Sequence, residues 1–243
     1  MPDIYLNNTK MEKSYDNIVL NIPHASVAGL GYAKWNDKVG LIREAKKWTD
    51  WYTDLIFVPE NRPGVKTITA DYSRFVVDVE RLEDDPLNDV GQGIVYTHFN
   101  NLTRNIDEEE RLGMMAYYYG YIKQLKRMLN EHSLLIDCHS FSSDLADVDI
   151  CIGVNDDRSR PTDFVIELVT EVFTQAGFSV RINHPYSNAI APQTDFAYDA
   201  IMIELNKRIY MNEQTLELNE SANKVRATLD TLYELLLKYW EEL

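Results

Sequence analysis

Leu134-Leu135-Ile136-Asp137-Cys138-His139-Ser140-Phe141 is the stretch on which the reading of this chain turns. Its short apolar run reads as a buried strand, and the carboxyl end of that strand delivers an acid, a histidine and a serine. Ile18-Val19-Leu20-Asn21-Ile22 has the same design and runs into Pro23-His24-Ala25-Ser26. In open α/β sheets, ligands and chemistry collect in the crevice beyond the carboxyl ends of the strands. Two imidazoles, each delivered by an apolar strand, therefore point to one shared metal.

Outward from these two strands, the chain alternates. Alternation over Lys66 to Ala70 and the run Phe75 to Val79 predict two more strands, and 148–154, Phe178 to Ile182 and Ala200 to Leu205 predict the rest. Apolar residues at helical spacing (Val39, Ile42, Ala45, Trp48, Trp51, Tyr52 and Leu55) predict a helix from about Lys38 to Phe57, with Asp50 and Asp54 sharing one side of it. Asn105, with Glu108 three residues on, predicts a capped helix start. That helix would run to about His132 over Leu112, Met115, Tyr119, Ile122 and Leu129, with His132 meeting the helix dipole. The Tyr117–Tyr119 cluster reads as packing on this helix. A further helix opens at Pro161 and stops at Gly177, and an amphipathic one over about 220–242 uses Val225, Leu229, Leu232, Leu236 and Trp240. Residues 1–17 show no clear periodicity. The long irregular segment 86–105 reads as a functional lid or rim. The expectation is an α/β protein: one domain over residues 1–243, with a mixed, largely parallel sheet flanked by helices.

Bulk properties narrow the function. A hydrophobic content of 45% and an aromatic content of 11% belong to a chain that folds, and 243 residues suffice for a substantial core. The net charge of -15 and pI near 4.7 argue against nucleic-acid binding, which wants a basic face. Cys138 and Cys151 lie in strand-like runs and read as buried thiols; with no secretory signal and no apolar run of membrane-spanning length, a cytoplasmic protein with no membrane partner is expected. Nothing in the pattern specifies an oligomeric state.

The residue chemistry follows. Metal-ligating histidines are held rigidly and backed by an acceptor that fixes the tautomer; Asp137 could serve His139, and Asn21 could serve His24. A catalytic zinc takes about three protein ligands and leaves a position open, and Asp50 or Asp54 could complete the set. The plain alternative is two histidines that merely hydrogen-bond in the core. Glu204 closes an apolar strand, where a carboxylate is costly to bury without a purpose; it is a candidate general base, or else an ion-pair partner of Lys207 or Arg208. Arg74 and Arg81 flank the 75–79 run, and a planar guanidinium suits capture of a carboxylate, unless Glu80, Glu83, Asp84 or Asp85 engage them instead. Asn155 and Arg158 follow another strand and form either a ligand-binding rim or a polar turn. His184 either reaches the site or stays solvated, and His98 belongs to the long irregular segment.

Taken together and in order, these blocks resemble the N-formylglutamate amidohydrolase family. The resemblance runs from Asn21-Ile22-Pro23-His24-Ala25-Ser26 through Thr49-Asp50-Trp51-Tyr52-Thr53-Asp54, Tyr72–Arg81, Asp137-Cys138-His139-Ser140 and Gly153–Ser159, ending at Glu204–Glu213. It implies a zinc-dependent hydrolase of phosphorylase/hydrolase-like fold, related to the zinc carboxypeptidases. It further implies His24, Asp50 and His139 as ligands of zinc or another divalent metal, with Asp54 as the alternative carboxylate, and Glu204 as the base that activates water. Arg81, with Arg74 nearby, would hold the carboxylate of a small N-acyl, in particular N-formyl, amino acid. Where relatives carry Ser-Gly after the first histidine this chain has Ala25-Ser26, and the Asn of their Asn-Arg pair is Glu80. A carboxylate at that place is expected to repel an anionic substrate unless it points away. The rivals are a carboxypeptidase-like or broader N-acyl deacylase and a non-catalytic binding protein of the same fold.

Overall fold

Six strands form one sheet, and four of them run parallel, so that their carboxyl ends lie at the same edge. The computed structural model describes the backbone of residues 15–238 and the side chains of 15–237, so Trp240 and the first 14 residues of the aperiodic N-terminal stretch lie outside the described residues. The strands are β1 (Asn17–Ile22), β2 (Val65–Thr69), β3 (Ser133–Phe141), β4 (Ile150–Val154), β5 (Val180–Ile182) and β6 (Asp199–Asn206), and the spatial order is β2-β1-β3-β6-β4-β5. β2, β1, β3 and β6 are mutually parallel; β4 runs antiparallel to β6, and β5 is parallel to β4. The expected mixed, largely parallel sheet is what forms.

Side-chain alternation explains the layers, because successive strand residues face opposite sides. Ile18, Leu20, Ile22, Leu134 and Ile136 point to one face, where they pack with α4 (Asp163–Gln175) and α5 (Ala222–Lys238) through Val165, Val169, Leu229 and Leu232. Val19, Leu135 and Ala200 point to the other, against Tyr118, Tyr121, Ile122 and Leu125 of α3 (Glu108–Met128). The buried face of α3 matches the expected one only in part: Ile122 and Leu129 are buried, but Leu112 is 63% exposed and Tyr119 is also exposed, and Tyr118, Tyr121 and Leu125 pack in their place; Asp107 caps the helix. The helix ends at Met128 with Lys126 and Arg127 in its last turn, so His132 lies beyond it in the turn before β3. Gly177 does follow α4 at φ +82°, a backbone state that costs a glycine little.

Two expected elements are corrected. The single helix over 38–57 is two: α1 (Lys38–Trp48) and the single turn α2 (Thr53–Ile56). Its apolar spacing misleads, since Val39 is 76% and Ile42 66% exposed, and the buried face is Gly40, Leu41 and Ala45. Outside bonds hold the break open: Asp50 N–H donates to the His24 carbonyl at 3.0 Å, and the Tyr210 hydroxyl donates to the Trp51 carbonyl at 2.9 Å. Residues 75–79 form no strand. Phe75, Val77, Asp78 and Val79 are buried, but in a turn and irregular backbone that packs over the sheet edge.

Candidate metal centre and catalytic cavity

The parallel strands deliver their chemistry to one place. β3 and β6 are in register so that His139 and Glu204 are direct neighbours across the ladder, both within their strands rather than past them. His24 follows β1 by two residues, and its carbonyl holds the α1–α2 break, which brings Asp50 alongside. The Nδ1 atoms of His24 and His139 lie 3.7 and 3.0 Å from the same oxygen, Asp50 Oδ2. Asp54, four residues on, is exposed on the far side of the break, so the helical pairing of the two acids does not form.

The far edge of each ring meets a buried acid. His24 Nε2 is 2.8 Å from Asp78 Oδ1, and His139 Nε2 is 3.1 Å from Asp137 Oδ1. The Asp78 contact is a hydrogen bond, and such a carboxylate behind an imidazole fixes the tautomer and aims the opposite nitrogen; the Asp137 contact is an ion-pair distance without hydrogen-bond geometry. His24 Nδ1 is buried with no hydrogen-bond partner. One ligand atom each from His24, Asp50 and His139 can lie within 4.8 Å of one another, and this buried His/Asp/His group can hold a metal ion. Two nitrogens and one carboxylate oxygen are a donor set that suits zinc and several other divalent ions.

Asn21 does not serve His24. Its position opposite Asp137 in the sheet makes it donate to Asp137 Oδ1 at 2.7 Å, while it accepts from the Tyr121 hydroxyl at 2.6 Å. Tyr121, Asn21 and Asp137 thus form one hydrogen-bonded chain, with His139 Nε2 at ion-pair distance from its end. The acid that does serve His24, Asp78, went unread because it sits within the strand-like run 75–79. A fully buried carboxylate needs a partner, and Asp78, like Glu204, is a carboxylate in an apolar run.

Charge shapes this centre. Burial would raise the Asp50 carboxyl, but bonds from His139 and His24 hold it below the usual carboxylate range. Burial alone would lower the His139 imidazole; Asp137 and Glu80 outweigh it and raise the group well above its ordinary value. Glu204 is 7% exposed and its Oε2 has no hydrogen-bond partner. Burial pushes its carboxyl up to about 8, His139 opposes the shift, and Asp50, Glu80 and Asp137 reinforce it. No ion pair with Lys207 or Arg208 forms among the described residues; Arg208 is taken by Asp147 and Asp149.

A cavity of about 480 Å³ opens onto Asp50, His139 and Glu204, with Arg74, Arg81, Glu80 and Lys207 also in its walls. The segment 86–105 supplies Leu87, Gln92, Tyr96, Phe99 and Asn100 to the rim. It is pinned by the Arg104 guanidinium, which donates to the Tyr96 and Val76 carbonyls, and by the Tyr96 hydroxyl, which donates to Asp78 Oδ2 at 2.6 Å. Glu80 does not point away: its oxygens lie 3.5 Å from His24 Nε2, 3.4 Å from His139 Nε2 and 3.5 Å from the Arg81 guanidinium.

Asn155 and Arg158 are not brought into this cavity. They follow β4, whose antiparallel course pairs Val154 with Ile201 and so ends at the opposite edge of the sheet. Asn155 ties Ser159 to the Ala189 backbone, and Arg158 lines a separate cavity with Tyr118 and Tyr119. His184 and His98 are exposed, and Cys138 and Cys151 are buried free thiols, as expected.

Residues 16–211 match the family model described as N-formylglutamate amidohydrolase. The chain belongs to that family. It is similar to an N-formylglutamate deformylase of Pseudomonas aeruginosa, 28% identical over 232 residues that cover 84% of this chain and 87% of the relative. Among solved structures, the fold is similar to that of an N-formylglutamate amidohydrolase from Ralstonia eutropha JMP134, with a TM-score of 0.75 at 19% identity and coverage of 94% and 95% of the two chains. The gene product Atu2144 from Agrobacterium tumefaciens shares it with a TM-score of 0.61 at 16% identity, covering 90% of this chain and 88% of the other. Among the described residues no helix is long and apolar enough to cross a membrane.

Proposed function

We propose that this protein hydrolyses the formamide bond of N-formyl amino acids, N-formylglutamate foremost, to formate and the free amine. The observation that carries the proposal is a set of buried side-chain atoms without hydrogen-bond partners at one centre: His24 Nδ1 facing Asp50, His139 Nε2, and Glu204 Oε2 in the cavity wall. The family and the name of the Pseudomonas relative supply the substrate class. A divalent metal held by His24, Asp50 and His139, zinc in the first instance, would supply Lewis acidity toward the formyl carbonyl and the attacking water.

The chain's own residues do the rest. Glu204, raised by burial, accepts the proton that water gives up as it adds to the formyl carbon. The same carboxyl returns that proton to the nitrogen as the C–N bond breaks, which closes the balance. Arg81 and Arg74 receive the α-carboxylate and fix the formyl group relative to Glu204, lowering the barrier by orientation. Asp78 and Asp137 keep both imidazoles in register throughout.

Elemental analysis of purified wild type and His139→Ala, together with an assay for formate release, tests this. About one zinc per chain, lost in the variant, with release of formate from N-formylglutamate, is the expected result. No metal after zinc is supplied, or zinc without hydrolysis of any N-acyl amino acid, overturns it. Faster cleavage of N-acetyl compounds or of peptides would replace it with the deacylase or carboxypeptidase-like alternative.

A further inference from the structure

We infer that Lys207 is the specificity-determining anchor for a second carboxylate of the substrate, the side-chain carboxylate that distinguishes a dianionic formyl amino acid from a monoanionic one. The inference rests on the proposed deformylase reading for the identity of the substrate, but the geometry stands apart from it.

Four cations, Lys47, Arg74, Arg81 and Lys207, line the cavity, and they are not equally satisfied; Lys47 pairs with Asp144 at 2.7 Å. Arg81 has Asp78, Glu80 and Asp85 within 3.7, 3.5 and 3.9 Å, and Arg74 has Asp78 at 3.3 Å. Lys207 is 2% exposed, and among the described residues no carboxylate comes within ion-pair distance of its ammonium. Its one hydrogen bond goes to the Lys47 carbonyl at 2.6 Å, at the C-terminus of α1. That contact suits a cation at a helix end, yet it occupies only one of the ammonium's donors. A buried ammonium without a direct ion-pair partner is costly; burial lowers its pKa, and Asp50, Glu213 and Glu204, none of them at ion-pair distance, only partly oppose the shift. An anion entering the cavity would remove that cost.

The placement also fits a two-point grip. Lys207 follows β6 by one residue, so it stands three residues beyond Glu204 on the wall shared with Lys47 and Trp48. Arg74 and Arg81 stand on the 71–81 segment with Tyr96. Cations on two walls, with Glu204 and the His/Asp/His group in the same cavity, match a substrate carrying carboxylates at both ends of a short chain. In this arrangement Lys207 touches the non-reacting end of the substrate, and its contribution is selectivity.

The test uses glutarate, which has the carboxylate spacing of a glutamate skeleton, and its monoamide glutaramate, which lacks one charge. Binding of each to wild type, Lys207→Gln and Lys207→Arg is measured by calorimetry on the zinc-supplied protein, with thermal melts confirming that the variants fold. Steady-state kinetics on N-formylglutamate and N-formylglutamine run in parallel. The expected result is that Lys207→Gln weakens glutarate about 10- to 100-fold more than it weakens glutaramate, the range of a charge-assisted hydrogen bond. The KM for N-formylglutamate should rise in the same proportion relative to N-formylglutamine, and Lys207→Arg should recover most of both. Equal losses for both ligands, no preference of wild type for glutarate, or a Lys207→Arg variant as poor as Lys207→Gln each overturn the inference. A Lys207-dependent preference for glutarate without turnover of any formyl compound would sink the deformylase reading while leaving the anion anchor in place.

Discussion

The catalytic cavity has two halves built on different physics. One half is sheet: His139 and Glu204 sit side by side on β3 and β6, and Asp137 is braced by Asn21 and the Ile190 amide. The other half is irregular backbone: His24 follows a strand, Asp50 occupies a helix break, and Asp78, Glu80, Arg81 and Tyr96 come from turns. The sheet half is positioned by backbone ladders that exist whether or not a ligand is present. The irregular half is positioned by its own charges, Asp78 alone meeting His24, Arg74, Arg81 and Tyr96. Glu204, the proposed proton acceptor, stands on the rigid half. The half held by charge carries the remaining proposed metal ligands, His24 and Asp50, and the proposed substrate anchors Arg74 and Arg81.

The largest effect is expected where the sheet half does chemistry. Glu204→Gln keeps the shape and removes the proton acceptor, so kcat for formate release should fall about a thousandfold, while elemental analysis should find wild-type zinc. A variant that turns over normally with its zinc intact would move the base out of the sheet half.

A smaller effect compares the halves directly. Asp78→Asn and Asp137→Asn each remove the charge behind one imidazole, and each should weaken zinc about 10- to 100-fold, measured by competition with a chromophoric chelator. Similar losses would mean that charge holds a ligand as firmly as a sheet does. If Asp137→Asn weakened zinc and Asp78→Asn did not, His24 would be held by its backbone, and Asp78 would serve only to gather the arginines.

The same division decides what the sequence made legible. Strand residues advertise themselves, because an apolar run ending in a polar group stands out; His139, Glu204 and His24 are legible as candidates that way, and the structure brings them to one place. Asp50 was found with Asp54 beside it, since helical spacing runs through Trp48 and Trp51 and conceals a break held by partners as distant as Tyr210. Asp78 looked like a strand residue because Phe75, Val77 and Val79 are buried at alternate positions without pairing to anything. Asn155 and Arg158 were sought at a strand's carboxyl end, and strand direction, which sends them to the other edge, is a property of the whole sheet that no local pattern encodes. Lys207 carried no signal beyond its charge; only burial without a carboxylate gives it meaning.

The smallest effect concerns Glu80, where the irregular half departs from its relatives. Its carboxylate lies 3.5 Å from Arg81 and within 3.5 Å of both imidazoles, so it competes for the same cations a substrate carboxylate would meet. Arg81 keeps Asp78 and Asp85 if Glu80 is neutralised, which limits the gain to that of one partly exposed pair. Glu80→Gln should therefore lower the KM for N-formylglutamate about two- to fivefold, a change of up to about 1 kcal/mol, with kcat little altered. A rise in KM accompanied by loss of zinc would give Glu80 the opposite role: the charge that holds the two rings together, without which the irregular half comes apart.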